Sequence, residues 1–151
     1  HTLVNIKSTK KDEIFNEAKL ELRVLNGKIS FDNSIFINNN IGLIEVSNSD
    51  LFLENDKLFL TSNLSIDIKD ADRLFSFLNT SKKSRKDIKN IKLNIIYDFL
   101  SNQIELKNIK INDNDVSSQF NNIAEGFSDN NSNNLTKSRK LLNELINLYE
   151  G

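Results

Sequence analysis

The chain has 151 residues, 38% apolar and 27% charged, with a net charge of −1, which is enough material for one domain with a core of its own. The balanced charge argues against a nucleic-acid surface, which calls for a strongly basic face. The absence of cysteine excludes a disulfide framework, a thiolate metal site and a thiol nucleophile, and leaves the redox compartment open.

The start at His1 rather than Met points to a piece of a longer protein or a processed product. No stretch approaches the roughly 20 apolar residues of a spanning helix, and no signal-peptide pattern stands at the start, so any anchor is expected upstream. Proline, methionine and tryptophan are also absent. Asn, Lys and Ile are heavily used but spread through a patterned sequence, as codon bias in an AT-rich genome would produce, and many Asn residues fall where turns are expected.

Residues 1–17 are weakly patterned. Leu3 and Ile6 suggest a short strand cut from its partners, or a linker. From Ala18 apolar and polar residues alternate, through Leu20, Leu22 and Val24, the signature of a half-buried strand. Asn26-Gly27 is a type I′ hairpin signal, because both central residues of that turn need positive φ. The return strand carries Ile29 and Phe31, with Ile35 and Ile37 in the same phase. A short strand at 43–46 and another through Leu51 and Leu53 follow. After a turn at Asn55-Asp56 comes a long strand through Leu58, Leu60, Leu64, Ile66 and Ile68.

"DADRLFSFLNTSKKSRKD" breaks the period of two. Asp70 can cap a helix, and Ala71, Leu74, Phe75 and Leu78 share one helical face, predicting a helix near 70–79. The basic run Lys82, Lys83, Arg85, Lys86 is a candidate contact for a phosphate or lipid headgroup, set against an ordinary solvated loop. Alternation resumes in a hairpin through Ile91, Leu93, Ile95, Tyr97 and Phe99, then Ile104, Leu106, Ile109 and Ile111. Beyond it the reading is a short helix using Val116, Phe120, Ile123 and Ala124 and ended by Gly126, then a flexible loop at 128–134. An amphipathic helix with an apolar stripe of Leu135, Leu141, Leu142, Leu145, Ile146, Leu148 and Tyr149 ends the chain. Lys137, Arg139 and Lys140 near its start oppose the helix dipole.

The expected fold is therefore mainly β with α. Residues 18–112 form a curved antiparallel sheet of consecutive hairpins, an open groove or sandwich-like, with one inserted helix. Residues 113–151 form a helical tail. No catalytic or metal-binding set emerges. The only histidine is His1, the acids alternate with apolar residues as on a wet sheet face, and "NDND" at 112–115 lacks the glycine and distal glutamate of a calcium loop. No cofactor is expected.

What covers the apolar face stays open on periodicity alone: a second sheet, closure into a barrel, or a ligand. The stretch "LNGKISFDNSIFINNNIGLIEVSNSDLFLENDKLFLTSNLSIDIKDADRLFSFLNT" resembles the C-terminal region of AsmA-like envelope proteins. The resemblance rests on a G-x-I-x-F strand (Gly27, Ile29, Phe31), a long L-x-I-x-I strand (Leu64, Ile66, Ile68) and a helix beginning at Asp70 with Leu74. The hairpin at 91–112 and the terminal helix are similar too. The resemblance implies a non-catalytic periplasmic module, held to the inner membrane by an upstream segment and serving outer-membrane assembly and phospholipid movement. In that reading Leu20, Leu22, Val24, Ile29, Phe31, Leu64, Ile66, Ile68, Leu93, Ile95, Tyr97, Phe99, Ile104 and Leu106 face lipid. The alternative is a structural or protein-interaction β domain in which the same residues are closed core.

Overall fold

The computed structural model describes residues 1–8, 15–101, 103–117 and 134–149. Nine strands form one antiparallel sheet: β1 (Thr2–Lys7), β2 (Glu17–Leu25), β3 (Lys28–Ser30), β4 (Ile35–Asn38), β5 (Gly42–Glu54), β6 (Lys57–Ile68), β7 (Asn90–Asp98), β8 (Gln103–Ile111) and β9 (Asn114–Asp115). Helix α1 (Ala71–Leu78) and a 3₁₀ turn (Lys82–Ser84) lie between β6 and β7, and helix α2 (Asn134–Leu148) follows β9. The strands pair in sequence order, with β3 and β4 together filling the place between β2 and β5. No second sheet and no pairing of β1 with β9 occurs among the described residues, so the sheet is neither a sandwich nor a barrel.

Thr2–Lys7 pairs with β2 along its whole length, from Thr2 opposite Leu22 to Lys7 opposite Glu17. The first residues are thus an edge strand of the sheet rather than a strand without partners.

Asparagine makes the turns. Every non-glycine residue with positive φ among those described is Asn or Asp: Asn26, Asn33, Asn48, Asn55, Asp56, Asn79, Asn108, Asn112 and Asp113. These short polar side chains tolerate the left-handed region that other residues avoid. With no proline and only four glycines in the chain, the abundant Asn has a structural use. Asn26-Gly27 and Asn55-Asp56 close hairpins with positive φ at both central positions, as type I′ turns require. "NDND" is likewise a hairpin, with Asn112-Asp113 turning β8 into β9.

Two expected strand boundaries differ, for one reason. The stretches at 43–46 and 51–53 are a single strand, β5, carrying a bulge between Ser47 and Asp50. Ile35 and Ile37 do not keep the phase of Ile29, because Asn33 at φ 65 inserts an irregularity between β3 and β4. Phe36 instead joins the apolar face, opposite Ala18 and Ile44. The two irregularities clamp each other. The Asp32 carboxylate accepts from the Ser49 N–H at 2.6 Å and from its hydroxyl at 2.9 Å, and Ser49 Oγ accepts from the Phe31 N–H at 2.7 Å. Ser49 and Ser34 are buried, and Ser34 Oγ accepts from the Glu21 N–H at 3.0 Å. Burial pushes the Asp32 carboxyl up, but hydrogen bonds from Ser49 and Ser30 outweigh it and hold the group below its ordinary value of 3.8.

Helix α1 begins where Asp70 accepts from the Arg73 N–H at 3.0 Å. It ends in a Schellman motif. Asn79 is left-handed at φ 58, and the Thr80 N–H reaches back to the Phe75 carbonyl at 2.8 Å. The buried core gathers at this end of the sheet: Phe75 and Leu78 of α1, Ile88, Ile91 and Leu93, Ile109 and Ile111, Val116, and Leu145, Ile146 and Tyr149 at the end of α2. Val116 follows β9 outside any regular element, and Ser117 after it is helical, so the expected short helix begins one residue later than Val116. The expected helical positions Phe120, Ile123, Ala124 and Gly126, and the loop through 133, lie outside the described residues, as do the side chains of Leu135, Lys137 and Leu148.

Polar contacts dock α2. Asn143 donates to the Leu78 carbonyl at 2.6 Å, and the Thr80 hydroxyl donates to the Asn143 side-chain carbonyl. Lys86 donates to the Tyr149 carbonyl, and Asn112 donates to the Tyr149 hydroxyl at 3.1 Å. The Arg139 guanidinium stacks 4.3 Å above the Phe77 ring, so this cation serves the helix–helix contact.

Candidate functional site

In an antiparallel ladder residues directly opposite each other share a face, so the registers trace the apolar face across the sheet. Val4 and Ile6 lie opposite Leu20 and Ala18, and Val24 opposite Ile29. Ile29 meets Leu51, Leu51 meets Leu60, and Leu53 meets Leu58. Leu60 meets Tyr97, and Tyr97 meets Ile104. Toward the other end of the same strands Val46, Leu64 and Leu93 line up, as do Ile44, Ile66, Ile91 and Ile111. One continuous apolar face thus runs from β1 to β8.

Among the described residues the helices cover only one end of it. Of the fourteen residues expected on this face, Leu93 is buried in the core, and Leu64, Ile66, Ile68, Ile95 and Leu106 pack against that core. Leu20, Leu22, Val24, Ile29, Phe31, Tyr97, Phe99 and Ile104 do not join it. Val24, Phe99 and Ile104 are exposed, and the other five are half-buried by neighbours on the sheet. Phe31 sits at the bulge with its N–H tied to Ser49. The described contacts on the open part are local ones, such as Phe15 against Phe36 at 5.3 Å between ring centres, and Tyr97 edge-on to Phe99 at 4.7 Å. The sequence reading missed Phe36 as a member of this face. The signal was Asn33 inside "FDNSIF", a turn residue in the middle of a strand pattern.

The basic run does not converge on the open part. Lys82 and Lys83 are exposed in the 3₁₀ turn at the helix-covered end. Arg85 donates to the Asp72 carboxylate at 3.4 Å and lies 5.8 Å from the Phe75 ring centre, while Lys86 holds the end of α2.

The opposite face is mainly polar. It carries an open depression of about 310 Å³ where the β5–β6 and β7–β8 irregularities fall side by side, lined by Ser47, Asn63, Ser65, Lys92, Asn94 and Lys110 among others. Asn94 donates to Asn63 at 2.6 Å there. Lys92 donates to Asp113 at 2.8 Å, a contact that raises the lysine pKa and lowers that of the aspartate. His1 pairs with Glu21 at 3.0 Å on this face. Among the described residues no three His, Cys, Asp or Glu side chains gather as a metal site, and no helix is long and apolar enough to cross a membrane.

Comparison with protein-family models, with curated proteins and with solved structures finds no match to this chain.

Proposed function

We propose that the chain is a non-catalytic lipid-handling module whose open apolar face receives the acyl chains of a phospholipid. The observation that carries this reading is the mismatch between the face and its cover: the apolar rows run from β1 to β8, and among the described residues the buried core occupies only the end under α1 and α2. Exposed apolar area of this extent marks a surface meant to be covered. An acyl chain gains about 0.8 kcal/mol for each methylene it buries there, and lying along the rows leaves no polar group unsatisfied. The rhythm shared with AsmA-like proteins supports the same use. On this reading the module works in the periplasm, attached to the inner membrane through an upstream segment, and serves phospholipid transport and outer-membrane assembly.

Native mass spectrometry of the gently purified chain, followed by lipid extraction, tests the proposal. Stoichiometric phospholipid is the expected result. A clean apo mass with a cooperative melt would overturn it, leaving a structural or protein-interaction β domain whose face is covered by protein.

A further inference from the structure

The most exposed apolar side chains on the described strands and turns are not scattered. Three hairpin turns stand side by side at the end of the sheet away from the helices: Asn26-Gly27, Asn55-Asp56 and the turn at 99–101. Beside the first, Leu25 is 72% and Val24 71% exposed, on opposite faces of β2; Leu53 beside the second, on the face of Val24, is 70% exposed, and Leu100 within the third 73%. Phe99, exposed next to Leu100, ties the third turn to the second, its N–H donating to the Leu58 carbonyl at 3.1 Å. Hairpin tips in soluble proteins normally carry polar residues, so apolar side chains on three adjacent tips call for a partner.

We propose that this rim docks on the surface of a zwitterionic phospholipid bilayer, with Leu25, Leu53 and Leu100 entering the interface. The chemistry favours a fluid lipid surface over a protein. The three tips are separated by two strand spacings each, about 10 Å, with polar Asn26, Asn55 and Asp56 among them. A protein would have to supply a separate pocket for each prong, whereas a bilayer accepts spaced insertions and solvates the polar turns at headgroup level. The prongs are already ordered. Asn26-Gly27 and Asn55-Asp56 hold the first two turns, and the Asp98 carboxylate accepts from the N–H groups of Leu100 at 2.9 Å and Ser101 at 3.2 Å. Insertion therefore costs little conformational freedom. The charges favour neutral lipid. Lys28 and Lys57 are offset by Glu54, Asp56 and Asp98, and Lys28 is paired with Asp50 at 3.2 Å, so no basic field faces an anionic membrane.

Docking stands on the rim. It rests on the preceding proposal only for its role, which is to place the open face against a lipid source. The test is flotation of the chain with phosphatidylcholine vesicles, beside the triple variant Leu25→Asn, Leu53→Asn, Leu100→Asn. The chain floats, and the variant loses about tenfold or more of its partitioning while its urea midpoint holds, since exposed apolar contacts set binding and not folding. Leu100→Asn alone, in a turn outside any strand, gives the same loss at about threefold and guards against misfolding of the triple variant. No flotation of the chain, or equal flotation of the variants, overturns the proposal. So does a concentration-dependent dimer that the triple variant abolishes without any vesicle binding, which would make the rim a contact between copies. Lipid extraction from the unsubstituted chain separates the two proposals: lipid retained without flotation keeps the open-face reading alone, and flotation without extractable lipid keeps the rim alone.

Discussion

Leu93 and Leu22 lie on the same face of the same sheet, and the structure assigns them opposite sensitivities. Leu93 is 7% exposed, beneath the helices and among Ile91, Leu145 and Ile146. Truncation to alanine there removes buried methylenes and leaves a cavity that α1 and α2 cannot fill, for a cost of about 3 kcal/mol. Leu22 is half-buried by its neighbours and stands apart from the core, so the space left by truncation opens to solvent and only the transfer loss of about 1 kcal/mol remains. With a urea dependence of about 2 kcal/mol per molar, Leu93→Ala should lower the unfolding midpoint by about 1.5 M and Leu22→Ala by about 0.5 M. The aspartate variants sharpen the contrast. Leu93→Asp strands a charge in the core and should abolish folding, while Leu22→Asp reaches water, folds, and loses co-purifying lipid. Circular dichroism at increasing urea reads all four. Equal midpoints for the two alanine variants, or collapse of Leu22→Asp, would mean that protein seals the open part of the face and would refute the reasoning.

Gly42→Ala should destabilise the fold by about 2 kcal/mol or more, measured by thermal melting, because a Cβ there runs into the Asp67 carbonyl across the β5–β6 ladder and φ is +154. Asp32→Asn should cost about 2 kcal/mol at neutral pH by removing a charge-assisted acceptor from the two bulges. The folded state holds the Asp32 carboxyl below 3.8, so this contribution is complete above that value and fades as pH falls through the lower folded value. Urea titrations of both proteins should therefore converge in strong acid. Asn143→Ala leaves the Leu78 carbonyl without its donor and should cost about 1–2 kcal/mol, with loss of the helical signal of α2 preceding loss of the sheet signal.

Much of this architecture was legible in the alternation. Period two over "KLNIIYDFL" and "LSIDI" announced strands with one apolar face, Asn26-Gly27 announced its turn, and Asp70 with the 71–78 spacing announced α1. Where the alternation failed, the cause was a bulge. An inserted left-handed Asn shifts the phase by one, so "SIFIN" read in register with Ile29 put Ile35 and Ile37 on the wrong face and hid Phe36. The extent of cover over the apolar face was not legible at all. Leu22 and Leu93 have the same neighbours in sequence pattern, and only the placement of α2, more than 40 residues beyond Leu93, separates core from open face. The same blindness applies to Arg85 and Lys86, whose partners are Asp72 in α1 and Tyr149 just past the end of α2.

Strands β5 and β6, 13 and 12 residues long, run the full length of the sheet, from beneath the helices to the hairpin tips. Each strand therefore belongs to two thermodynamic neighbourhoods. Amides around Leu64 and Ile66 are locked by the packed core and should exchange with solvent only when the whole molecule unfolds, whereas amides near Leu53 and Leu58 can exchange through small excursions that leave that core intact. A ladder clamped at one end and free to breathe at the other can spread its strands at the tips without losing its fold, so the part of the molecule best placed to admit a guest is also the part that opens most cheaply.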